Sequence, residues 1–216
     1  MKLFIGNKNY SSWSLRPWLL MRVKDLPFEE QRIVLDQPGS KASLLRASPS
    51  GRVPVLVDGD RTIWDSLAIV EYLAERFPQS SLWPTDADAR ALARSITCEM
   101  HAGFAALRTA MPMNCRARLP GKGHTDAALA DASRIVASWE YCRGLHAAQG
   151  DFLFGRFCIA DAFYAPVVLR FETYGVSLPT TARRYADALL ALPAMQDWLA
   201  AADGETEIIA ADEPYR

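Results

Sequence analysis

No two cysteines of this chain stand close enough in sequence to read as a redox or metal-binding pair. The four are Cys98, Cys115, Cys142 and Cys158, scattered and without a C-x-x-C. That argues against a disulfide framework and for a reducing, cytoplasmic setting. Histidine is equally scarce, and His101, His124 and His146 do not fall with cysteine at ligand spacing, so neither a structural zinc nor any other metal is expected. Charge of one sign does not accumulate. Lys and Arg number 24 against 25 Asp and Glu, and the first 80 residues carry 11 and 9 of them. Bulk electrostatics therefore favour neither nucleic acid nor an anionic membrane. No apolar run approaches a membrane span, and the N-terminus is too briefly apolar for a secretion signal. Internal repeats and low-complexity segments are also absent.

What is present is ample length for a buried core, 216 residues of which 50% are hydrophobic. The first 80 residues alternate strand and helix signals. Residues 2–5 read as a strand, followed by a serine-rich turn and a helix to about Val23, with Pro17 in its first turn. A second strand is expected over residues 30–35 and a short helix over 41–47. Ser48-Pro49-Ser50-Gly51 is a turn cluster, and residues 53–57 and 61–64 form a hairpin about Asp58-Gly59-Asp60. Asp65 then caps a helix with an apolar stripe at Leu67, Val70, Leu73 and Phe77. The first two strands are joined through a helix and should lie parallel, while the last two are antiparallel. This predicts an α/β unit with a mixed four-stranded sheet over residues 1–78. A polar, proline-containing linker at 79–85 leads to an all-α unit over residues 86–216. There a helix is expected over residues 86–111, ended by Pro112, and others over 125–148, 159–171, 181–191 and 193–202. The tail from Gly204 is acidic and unpatterned, and reads as an arm lying on the surface.

Three features of the first unit bear on chemistry. The turn Ser11-Ser12-Trp13-Ser14 opens a helix, whose free N–H groups and positive end can hold an anion such as a thiolate. Val53-Pro54 at a strand start is a candidate cis peptide, with Val53's backbone groups left for a peptide ligand to pair with. Asp65-Ser66 opens another helix, where the N–H groups and Ser66 suit a carboxylate and Asp65 suits an ammonium. Each has a plainer reading in isolation: a helix cap, an edge proline, an N-cap. Together they offer a thiolate site, a backbone clamp and an amino-acid-head clamp.

These residues resemble the soluble glutathione transferases. Ser11-Ser12-Trp13-Ser14-Leu15-Arg16 is similar to the serine motif of zeta-class and related bacterial members. Gly51-Arg52-Val53-Pro54-Val55-Leu56 resembles the family's cis-proline segment, and Asp65-Ser66-Leu67-Ala68-Ile69-Val70 its γ-glutamyl-binding helix start. Residues 155–161 resemble the capping segment before the central helix. Cys158 stands where that family usually has Ser or Thr, which should weaken the cap by up to about 1 kcal/mol. The resemblance implies a thioredoxin-like first domain and a helical-bundle second domain. It also implies glutathione as co-substrate, a homodimer and a role in detoxification. The catalytic hydroxyl would be Ser11 or Ser12. Glutathione would be held by Trp13, Lys41, Arg52, Val53, Pro54, Asp65 and Ser66, with Arg16 supporting the turn electrostatically and Ser14 in a capping role.

The electrophile pocket is expected between the two units. Trp13 would line one side, His101, Phe104 and Arg108 would share one face of the long helix, and Met111, Met113 and Asn114 lie beyond them. Absence of cysteine from residues 9–18 disfavours thiol–disulfide chemistry. The expected reaction is attack of a glutathione thiolate on a small hydrophobic electrophile. The alternatives are a glutathione-binding module without turnover, and a cis–trans isomerase of the maleylacetoacetate type. Against the isomerase stands Trp13, where zeta-class isomerases carry cysteine.

Overall fold

The computed structural model describes residues 1–216. Four strands form one sheet: β1 (Lys2–Ile5), β2 (Glu29–Arg32), β3 (Val55–Asp58) and β4 (Arg61–Ile63), in the order β2-β1-β3-β4. β1 and β2 run parallel, with Lys2 opposite Glu29. β1 and β3 are antiparallel, with Leu3 opposite Leu56, and β3–β4 is the expected hairpin. Between these strands lie α1 (Ser12–Val23) and α2 (Ser40–Ala47), and α3 (Ser66–Arg76) follows them. α1 and α3 pack on each other and on the sheet, which buries Leu15, Leu19, Ile69 and Leu73 completely. The mixed four-stranded sheet with helices is a thioredoxin-like arrangement. All later elements are helical.

β2 ends at Arg32, short of Leu35. Beyond it the backbone is held by side chains: Leu35 N–H donates to Asn7 Oδ1 and Ser40 Oγ donates to the Val34 carbonyl. Pro17 is also not in the first turn of α1. Ser12 is the first helical residue and Pro17 lies inside the helix.

The helical part consists of α4 (Ala87–Ala102), α5 (Ala105–Ala110), α6 (Asp126–His146), α7 (Ile159–Tyr174), α8 (Thr180–Leu190) and α9 (Pro193–Asp203). The single helix expected over 86–111 is thus two, and Pro112 is not what divides them. Gly103 and Phe104 are, Phe104 having a left-handed φ of 59°. A Cβ on Gly103 would stand 2.7 Å from the Glu99 carbonyl oxygen, so no other residue fits there without a shift. α7 is the hub, buried at every position except Glu172 and packed against α1, α4 and α8. Its start is secured by Asp161, whose carboxylate accepts the N–H groups of Cys158 (2.8 Å) and Leu153 (3.0 Å). The carboxylate half of this capping box thus carries two amides. No helix is long and apolar enough to cross a membrane.

The tail lies along the surface as an arm, and it is pinned there. Glu205 and Ile209 are buried, and residues 205–215 run back across the loop that precedes the serine turn. The Glu205 carboxylate accepts the Lys8 N–H (2.7 Å) and the Asn9 N–H (3.1 Å), and pairs with Arg32 at 2.8 Å. Glu213 accepts the Tyr10 hydroxyl at 2.5 Å, and Tyr215 donates to the Ala110 carbonyl at 2.7 Å. Its acidic residues meet these donors only after folding, so their sequence carries no period.

Candidate active site

The serine turn lies where β1 ends and α1 begins. Ser11 is the N-cap residue of α1, yet its hydroxyl makes no capping bond, and the N–H groups of Trp13 and Ser14 have no partner. A serine that merely capped its helix would fill that position. The Ser11 and Ser14 hydroxyls instead bond each other at 2.7 Å, and Ser14 Oγ accepts the Gly6 N–H at 3.1 Å. Ser14 therefore ties the end of β1 to the first turn of α1 rather than capping it. Ser12 Oγ accepts from Arg170 Nη2 at 3.2 Å, across the α1–α7 contact. The first turn of α1 consequently presents free amides, two nearly buried hydroxyls and the positive end of its dipole on one side.

Two cavities meet at Trp13. One, of about 400 Å³, is lined by Trp13, Ser50, Arg52, Val53, Pro54, Trp64, Asp65 and Ser66. It brings together the cis Val53–Pro54 segment and the start of α3. Neither the N–H nor the C=O of Val53 has a partner. Asp65 does cap α3, Oδ1 accepting the Leu67 N–H at 2.7 Å, while Oδ2 faces His101 Nε2 at 3.5 Å. Ser66 is fully buried and its oxygen receives Arg16 Nη1 at 3.4 Å.

The second cavity, of about 430 Å³, is reached from the other side of Trp13. Its walls include Ser11, Ser12, Arg52, Val53, Arg108, Met113, Arg170 and Asp212. Of the residues expected there, Trp13, Arg108 and Met113 line it. His101 points to Asp65 and meets Trp13 edge-on, with centroids 5.3 Å apart. Phe104 sits in the left-handed break between α4 and α5, which destroys the helical face it was to share with His101 and Arg108. Met111 is wholly buried core. Asn114 is a structural junction, accepting from Asn9 Nδ2 and the Ala117 N–H and donating to Glu213. Lys41 lines neither cavity; its Nζ stands against the backbone of Gly51.

The electrostatics are one-sided. Arg16, Arg108 and Arg170 surround Trp13 and Ser12, and none of them forms an ion pair. Arg16 is sandwiched between Trp13 (4.1 Å) and Phe163 (4.7 Å), and Arg108 lies 5.0 Å from the Trp13 ring. Burial first, then the neighbouring guanidinium groups, pushes Arg16 well below the ordinary range, and Arg170 down to about 10. Burial likewise lowers Arg108, and it lowers His101 against the pull of Asp65. Tyr10 is raised by burial and by Glu213.

The sequence pattern leaves out Tyr10, Arg170 and Asp212 from this site. Arg170 did leave one signal, a basic residue inside a helix that is otherwise almost entirely apolar. Asp212 left none.

Residues 10–76 match the family model for the glutathione S-transferase N-terminal domain. A maleylacetoacetate isomerase of Pseudomonas aeruginosa is 30% identical over 208 residues, which cover 91% of this chain and 94% of that protein. Glutathione S-transferase Z1 of Arabidopsis thaliana is 30% identical over 89% of this chain and 90% of its own length. Among solved structures, a glutathione transferase homolog from Burkholderia GL BGR1 with bound glutathione superimposes with a TM-score of 0.70. It is 25% identical, and the match covers 94% of this chain and 98% of that one.

Proposed function

The chain belongs to the glutathione S-transferase family, and from that premise we propose that glutathione lies across the two cavities with its sulfur at the first turn of α1. The carrying observation is that turn's uncapped state, with free Trp13 and Ser14 amides beside the Ser11 and Ser12 hydroxyls. The γ-glutamyl head is read into the cavity of Asp65 and Ser66, with the carboxylate on Ser66 and the α3 amides, and the ammonium on Asp65. The peptide backbone pairs with the unpartnered Val53 groups, and Arg52 and Trp13 flank it. Lys41, beside Gly51, is the proposed partner of the glycyl carboxylate.

The energetics suffice without a metal or an added base. A free thiol titrates near ~8.5, and lowering it by about two units requires roughly 2.7 kcal/mol. A helix N-terminus supplies ~0.3–2 kcal/mol and a hydroxyl hydrogen bond to a charged sulfur about 1.5–3. The thiolate then attacks a small electrophile in the cavity of Arg108, Met113 and Arg170. Ser11→Ala and Ser12→Ala each test this. At least one is expected to lower conjugation far more than glutathione affinity, and full turnover in both variants would refute the serine mechanism.

A second reading is favoured by one observation: Arg52, Arg108 and Arg170 all border the electrophile cavity. Three guanidinium groups suit a diacid, as a glutathione-dependent cis–trans isomerase would need. Trp13 in the place of cysteine weighs against it, and direct assay of maleylacetoacetate decides. We also propose a homodimer in the cytoplasm; a monomer mass in light scattering would refute the dimer.

A further inference from the structure

Arg170 is the least expected participant in the serine turn. It comes from the middle of the helical part, is 6% exposed, and has no carboxylate within ion-pair distance. Its Nη1 donates to the Met111 carbonyl at 2.6 Å and its Nη2 to Ser12 Oγ at 3.2 Å. A buried cation with no carboxylate at ion-pair distance is expensive to maintain. The bond to Ser12 has a directional consequence. With Arg170 donating into the Ser12 oxygen, the Ser12 O–H must point away from the guanidinium, and the cavity is the open side. Ser11 is placed differently, because its hydroxyl is shared with Ser14.

A negative charge faces Arg170 from the tail. Asp212 lines the same cavity. Burial raises its carboxyl above the ordinary range and the Arg170 charge pulls it back down, while the field of Asp212 raises Arg170 against the larger lowering by burial. The other groups around the pair are Arg16 on α1, Arg108 on α5, Tyr174 on α7 and Cys115 after Asn114, with Asp36 and Glu213 on the Asp212 side. Burial pushes Tyr174 and Cys115 up to about 12, so both are neutral at working pH. Arg170, at about 10, remains charged.

We propose that Arg170 is a positioning residue for ionisation of the bound glutathione: it aims the Ser12 hydroxyl at the sulfur and adds a positive field, which Asp212 opposes. The proposal rests on the family-based reading above and assigns the sulfur contact to Ser12. In the step, the S–H bond breaks, its electron pair stays on sulfur, and the proton leaves to solvent. Ser12 keeps its proton and Arg170 its charge.

The test is the ultraviolet absorbance of the thiolate, followed against pH with glutathione bound to the full-length protein. Arg170→Met is expected to raise the titration of the bound thiol by about one unit, a tenfold loss of thiolate below both values. Asp212→Asn is expected to move it the other way by about half a unit, roughly threefold. Arg170→Lys, with charge but no fork, should fall between parent and Arg170→Met. Opposite signs at the two sites are a result that mere loosening of the fold does not produce. If Arg170→Met does not fold, Arg170→Lys and Asp212→Asn carry the test. Retained glutathione with an unmoved titration in the folded Arg170 variants, or an upward shift in Asp212→Asn, overturns the proposal alone. Failure of the unsubstituted chain to bind glutathione overturns it together with the reading it rests on.

Discussion

Replacing Glu205 by alanine should destabilise the protein by about 3 kcal/mol, although the residue lies in a tail that looks dispensable. Its carboxylate is the sole acceptor for the Lys8 and Asn9 amides, at 2.7 and 3.1 Å, and both residues are buried. A buried donor stripped of its acceptor costs about 1–3 kcal/mol, so two imply about 2–6. The half-exposed partner Arg32 adds at most ~1 kcal/mol, because water screens that pair. Water entering the truncated site recovers part of the loss, which places the expected value near the lower middle of the range. For a chain of this length, that corresponds to a fall in melting temperature of roughly 6–12 °C. The damage should be local as well as global. Lys8 and Asn9 immediately precede Tyr10 and the serine turn, so exchange of their amides should accelerate in the variant more than that of the β3 amides. Glu205→Gln keeps one acceptor oxygen and should lose about half as much. Urea unfolding followed by tryptophan fluorescence, with hydrogen exchange, measures both effects. A Glu205→Ala protein within ~0.5 kcal/mol of the parent, with unchanged exchange at Lys8 and Asn9, would refute the view that the tail braces the turn.

Asp161→Ala should also be damaging, by about 2–6 kcal/mol, since it orphans the buried Leu153 and Cys158 amides at the start of the central helix. A thermal melt shifted by less than about 2 °C would contradict this. His101 should carry a pH dependence of stability. Its folded-state pKa is depressed by burial, so its contribution is present above the ordinary ~6.5 and lost as pH falls through the folded value. His101→Gln should therefore flatten the loss of urea stability on acidification below about pH 6.5. An unchanged slope would show that His101 does not titrate in this way.

The order of strands and helices in the first 76 residues was readable because each signal is local. Alternating apolar residues, the Asp58-Gly59 turn and Asp65 at a helix start act over a few positions. The same locality singled out Val53-Pro54 and Asp65-Ser66, which the fold brings to one cavity. Sequence spacing misplaced His101 and Phe104, because it assumes one continuous helix; Arg108 alone of the three reaches the expected cavity. Gly103 and the left-handed Phe104 turn the chain, sending His101 to Asp65 and Arg108 to the Trp13 ring. Near Asn114, a polar residue that looked like pocket lining turned out to hold the loop and the tail together.

By itself, then, the sequence determined the sheet-and-helix first part, the helical second part and the serine turn opening α1. These follow from propensities and caps that neighbouring residues set. Only the tertiary structure decided which groups meet that turn. Arg170 is 158 residues from Ser12, and Glu205 is 197 from Lys8. Such contacts form because α7 packs against α1 and the tail folds back across the loop before the serine turn, and buried polar groups must find partners wherever packing leaves them. No periodicity records that requirement, since it is satisfied in space and not along the chain.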